Sequence, residues 1–79
     1  MRKFRLKYNL YVDENCDLKI QKGEDRQQIA THGTLFQFLS FNRRRYRLSA
    51  ISKKLIIDVC YGDLNTWFEV LGEDDDKFE

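Results

Sequence analysis

Thr34-Leu35-Phe36-Gln37-Phe38-Leu39-Ser40-Phe41-Asn42-Arg43-Arg44-Arg45-Tyr46-Arg47 decides how this chain is read. Its first half holds five large apolar residues, and its second half sets four arginines around a tyrosine. As a helix, Thr34 would cap the start, with Gln37 three residues on to satisfy the reciprocal backbone donor. Leu35, Phe38, Leu39 and Asn42 would then share one face. Arg43 to Arg47 would close the helix where the backbone dipole favours cations. The competing reading is a strand, because an aromatic-rich run also suits a pleated sheet. The helix is the reading adopted here.

Upstream, Phe4, Leu6, Tyr8, Leu10 and Val12 alternate with Lys3, Arg5, Lys7, Asn9 and Tyr11. A period of two over this length predicts a strand with one face on the core and a cationic face in water. Asp13 to Asp17 has turn composition. Leu18, Ile20 and Lys22-Gly23 read as the returning strand of a β-hairpin. Residues 23–33 are polar and read as a loop or a loose helical turn.

Downstream, Leu55 to Tyr61 is rich in β-branched residues and ends at Gly62, which predicts a buried strand. Asp63 is placed to cap a helix in which Leu64, Trp67, Phe68 and Leu71 recur at helical spacing. Gly72 stands where a C-terminal cap glycine belongs. The fold expected is therefore α+β: a small antiparallel sheet, from an N-terminal hairpin and a strand near 55–61, packed by two short helices. An all-β meander, with both helices replaced by strands, is the alternative. Residues 1–72 are read as one compact domain and 73–79 as an acidic, flexible tail.

The chain has 79 residues, no proline and two cysteines. A domain this small has a limited core, and a partner is the natural supplement to it. No run is long and apolar enough to span a bilayer, and no secretory leader pattern is present. Two cysteines make no disulfide framework, so a reducing, cytoplasmic setting is expected. The formal net charge is +1. Its distribution is uneven: residues 1–54 hold 13 of the 14 Lys and Arg, and residues 55–79 hold 8 of the 13 Asp and Glu.

Arg43, Arg44, Arg45, Tyr46 and Arg47 form the candidate partner-binding site, with Lys53 and Lys54 as an extension. Guanidinium groups fork onto carboxylates or phosphates and stack on flat rings. Ile51 to Leu55 followed by Val59 to Trp67 has some of the rhythm of a helix-turn-helix. Ile56 stands where a small residue belongs, however, and Asp58 and Asp63 would repel phosphates. Cys16, His32 and Cys60 lack the paired spacing of a zinc site, and Cys60 reads as an inert core thiol.

No cofactor, metal, membrane or small-molecule substrate is expected. The function expected is that of a small non-catalytic binding protein. It would inhibit or regulate a larger protein or nucleoprotein by occluding its surface. Small size, absent proline and segregated charge are common among phage and mobile-element inhibitors, an association by composition alone. A nucleic-acid-binding regulator of RNA or DNA is the alternative.

Overall fold

The computed structural model describes residues 2–72. The chain folds as β1 (Lys3–Leu6), β2 (Leu10–Val12), β3 (Leu18–Lys19), β4 (Gln27–Ala30), β5 (Leu35–Asn42), β6 (Arg45–Ala50), β7 (Ile56–Cys60), α1 (Tyr61–Trp67) and β8 (Phe68–Gly72). Five strands form an antiparallel sheet in the order β7-β6-β5-β1-β8, and three form a second sheet in the order β3-β2-β4. The α+β expectation is overturned: the fold is mostly β, and one short helix replaces the two predicted.

The deciding stretch is a strand and a turn. β5 pairs with β1 through Phe4↔Phe36 and with β6 from Phe36↔Ala50 to Asn42↔Arg45. The strand wins because it buries Phe36 completely and sets its ring edge-on to Phe68 at 5.5 Å. A helix would have spent its apolar face on Leu39, which is exposed here, and on the polar Asn42. Thr34 is no helix cap: its hydroxyl donates to the Thr31 carbonyl at 2.6 Å.

The N-terminal alternation is two strands, not one. β1 belongs to the large sheet and β2 to the small one, with Lys7-Tyr8-Asn9 as the step between them. The step moves the phase of the chain. Tyr8 is exposed, whereas Leu10 and Tyr11 are both buried. Backbone bonds hold the step: Leu6 N–H donates to the Thr34 carbonyl, Lys7 N–H to the Trp67 carbonyl, and Gly33 N–H to the Leu6 carbonyl. The Asn9 side chain accepts from the His32 N–H at 2.8 Å. The turn read at Asp13 to Asp17 is made by the Asp13 carboxylate, which accepts from the Asn15 and Asp17 N–H groups. Those bonds hold its carboxyl below the usual carboxylate range, the Asp17 bond most strongly. The β2–β3 pairing of Tyr11 with Lys19 and Val12 with Leu18 follows. Within the segment read as a loop, residues 27–30 form β4, which pairs with β2.

The helix predicted from Asp63 to Leu71 stops at Trp67. Leu64 is its one buried residue, and Phe68 turns outward from the helical path into β8. β8 then pairs with β1 through Leu6↔Phe68 and Lys3↔Gly72, so Gly72 is a strand residue and not a helix cap. Seven helical residues supply too little cooperative hydrogen bonding to compete with a sheet edge that buries Phe68. Phe4, Leu6, Leu10, Phe36, Leu48, Val59 and Phe68 are the largest fully buried side chains. The acidic tail read at 73–79 lies outside the described residues.

Candidate functional site

β5 and β6 make a hairpin whose loop is only Arg43-Arg44, because Asn42 pairs with Arg45. Both loop residues have positive φ, 53° and 62°. Positive φ at both central positions defines the type I′ turn, whose hand matches the twist of the flanking strands. Asn-Gly is its favoured sequence. Arginine meets Cβ crowding in this region, at a cost of roughly 1–2 kcal/mol per residue. Two guanidinium groups are thus held at the tip of the β5–β6 hairpin arm, which β7 accompanies as far as Arg45↔Cys60.

A bulge sets which side chains share a face of that arm. Phe38 pairs with Leu48 and Ser40 with Arg47, so Leu39 is an extra residue on β5. The odd-numbered Phe41 therefore joins Phe36 and Phe38 on the core side. Near the tip the core side runs out of cover. Phe41 is 49% exposed and Tyr61 54% exposed. The two rings and Tyr46 form a cluster. Phe41 lies 4.7 Å from Tyr46, and the Tyr46 and Tyr61 rings are stacked within 15° of parallel at 6.3 Å. The Arg44 guanidinium sits 5.6 Å from the centre of the Tyr61 ring. The Tyr61 N–H donates to the Arg44 carbonyl at 2.8 Å and pins the tip to the start of α1.

The opposite face of the arm is cationic. Arg43, Arg45 and Arg47 line a shallow depression of about 330 Å³ with Ser40, Asn42 and Asp58. Arg47 donates to both oxygens of Asp58, at 3.0 and 3.4 Å. That forked bond holds the Asp58 carboxyl below its ordinary range and raises Arg47 above its own. Arg43, Arg44 and Arg45 have no ion pair among the described residues.

Five of the residues singled out from the sequence are brought together on this arm: Arg43, Arg44, Arg45, Tyr46 and Arg47. They do not form one uniform patch. Arg44 and Tyr46 belong to the ring-bearing side, Arg43 and Arg45 face the other, and Arg47 is occupied by Asp58. Lys53 and Lys54 lie in the turn at the opposite end of β6, and Lys53 Nζ donates to the Ile29 carbonyl at 2.7 Å. They do not extend the arginine cluster. Phe41 and Tyr61 were missed as site residues. Phe41 was findable: a two-residue turn at Arg43-Arg44 makes Phe41 and Tyr46 cross-strand partners. Nothing in the sequence signals Tyr61.

Cys60, read as a core thiol, is exposed on the outer face of β7, and Cys16 is exposed as well. Among the described residues, no group of three or more His, Cys, Asp or Glu side chains is placed to hold a metal ion. Among them too, no helix is long and apolar enough to cross a membrane. No protein-family model, no curated protein and no solved structure matches the chain.

Proposed function

We propose that this is a non-catalytic binding protein of the cytoplasm that inhibits or regulates a larger protein or nucleoprotein. It acts by pressing the tip of the β5–β6 arm onto an acidic part of that partner's surface. The observation that carries the reading is the turn itself. Arg43 and Arg44 occupy positive-φ positions that Asn-Gly would fill at lower cost. Backbone strain held at an exposed tip is a recurrent mark of a contact site. What the strain secures here is two exposed guanidinium groups at the end of the sheet, beside exposed rings. Arginine and tyrosine are among the residue types that dominate interface energies.

Mechanistically, Arg43 and Arg45 would fork onto partner carboxylates or phosphates. Phe41, Tyr46 and Tyr61 would supply flat apolar contact with few rotatable bonds to immobilise. Arg47 stays with Asp58 and braces the strand below the tip. The test is the variant Arg43→Asn/Arg44→Gly, which keeps the turn and removes both charges. In pull-downs from host lysate, with and without nuclease, the wild type should retain a partner that this variant loses. A partner retained equally by both removes the arm from the interface.

Direct binding of RNA or DNA is the second reading. It is favoured by the parallel Tyr46 and Tyr61 rings, on which bases stack readily. Salt separates the two. A binder contacting several phosphates loses roughly 10³-fold or more in affinity between 50 and 200 mM salt. Failure to retard any nucleic acid at low salt eliminates the second reading.

A further inference from the structure

β7 ends the large sheet, and its free edge opens into a groove. In the β6–β7 ladder, Ala50 N–H donates to the Leu55 carbonyl and Tyr61 N–H to the Arg44 carbonyl. Antiparallel pairs alternate between bonded and non-bonded, so Leu55, Ile57, Val59 and Tyr61 aim their backbone groups at β6. Ile56, Asp58 and Cys60 aim theirs outward. The Cys60 carbonyl is committed to the first turn of α1, for which Cys60 is the N-cap. That leaves the N–H and C=O of Ile56 and Asp58 and the N–H of Cys60 as a row of edge groups without a strand partner among the described residues.

The space beside this row is a groove of about 520 Å³. It is bounded across from β7 by the small sheet and α1. On the core side its walls include Leu18, Ile29 and Trp67, which pack against the buried cluster. On the outer side stand the alternating exposed side chains of β7, where Ile56 is 61% exposed. Natural sheet edges are usually short, charged or covered; this one carries a single charge and an exposed isoleucine. The charges in the groove are Asp17, Asp58 and Asp63 against Arg45. Neither Asp17 nor Asp63 has an ion pair among the described residues.

The geometry points to β7 as the acceptor for an extended peptide segment of a partner protein, added as a sixth strand of the sheet. Main-chain hydrogen bonds to Ile56, Asp58 and Cys60 hold it, and alternate side chains read the two walls. A residue placed opposite Asp58 projects on the same face as that carboxylate, which Arg47 forks from the other side, so a lysine or arginine there completes a cation–Asp58–Arg47 row across three strands. Its two neighbours project toward Leu18, Ile29 and Trp67 and are apolar. The recognised chemistry is a strand of the pattern apolar-basic-apolar. The groove adjoins the arginine depression and shares Arg45 and Asp58 with it, but uses neither Arg43 nor Arg44, so the site stands or falls without the turn.

The probe is acetyl-Thr-Val-Lys-Val-Thr-amide, titrated into the full chain while backbone amide exchange is followed by NMR. At a free peptide concentration of about ten times Kd, exchange of the Ile56, Asp58 and Cys60 amides should slow about tenfold. The same peptide N-methylated at lysine should give no slowing. Replacing its lysine with glutamate should weaken binding roughly threefold to tenfold, and Asp58→Lys should reverse that preference. Slowing confined to other amides, equal binding of the N-methylated peptide, or no binding at millimolar peptide would overturn the proposal. So would amides already protected in the absence of peptide together with a dimer in sedimentation, which assigns the edge to a second copy.

Discussion

The two halves of the β5–β6 arm are built from the same kinds of residue and do opposite things. At the base, Phe36 and Leu48 are fully buried and Ala50 nearly so, and Phe36 meets Phe68 edge-on. At the tip, Phe41 and Tyr61 are half exposed and the turn residues sit at positive φ. The base is covered by Phe68 of β8, by Leu64 of α1 and by Leu10 and Ala30 of the small sheet, which join the same core cluster. The tip lies past that cover. Burial, then, follows from where the covering elements end, and aromatic content alone does not predict it.

The sharpest way to break this contrast is to truncate a ring in each half. Phe36→Ala should cost about 3–5 kcal/mol, close to the whole stability of so small a domain. Phe41→Ala should cost only about 1 kcal/mol, because half of its surface already lies in water. Chemical denaturation of both variants checks the difference, and equal losses would mean the tip is as structural as the base. Deleting Leu39 comes next. Removing the bulge residue leaves Phe38, Ser40 and Phe41 in regular alternation opposite Leu48, Arg47 and Tyr46, so Phe41 keeps its place on the core side. The expected change in stability is within about 1 kcal/mol, with the near-ultraviolet signal of the Tyr46 and Tyr61 stack retained; loss of that signal would show that the bulge itself places the rings.

Arg43→Asn/Arg44→Gly should move stability the other way, by a gain of about 1 kcal/mol, as the turn acquires its preferred residues. A loss of stability would show that the arginines hold the tip together instead of straining it. The smallest effect belongs to Asp58. Its folded carboxyl titrates below the unfolded value of about 3.9, so the folded state binds fewer protons. Its contribution is complete above that value and fades as pH falls through the folded one. Asp58→Asn should flatten the acid limb of the stability curve slightly, through a small loss at neutral pH that disappears in strong acid, and both are small because the pair is solvent-screened.

Part of this architecture was legible in the sequence. A strand near 55–61 and the Asp13 turn stand where local residue chemistry put them, although the strand, read as buried, is an edge that leaves Ile56, Asp58 and Cys60 exposed. The helix read into Thr34 to Arg47 failed for a specific reason. Phe36 and Phe38 keep a period of two, but the bulge at Leu39 breaks it before Phe41, and the broken pattern fits helical spacing. Arg43-Arg44 also hides the turn, since neither residue is a usual occupant of positive φ. Phe68 and Leu71 continue the spacing of the preceding helix, and only the tertiary pairing with β1 draws them into a strand. The aromatic cluster was half legible for the same cause: Tyr61 reaches it from another element.

β1 lies between β5 and β8, so a strand near the beginning of the described chain is paired to the last one, with Lys3 opposite Gly72. The β5–β6 and β6–β7 ladders can zip up locally, whereas β1 must wait for β8 before both its sides are filled. Closure over so long a stretch of chain is entropically late and slow. On the ribosome, the arm carrying the arginines should therefore form early, and the sheet that anchors it should be sealed only after β8 has emerged.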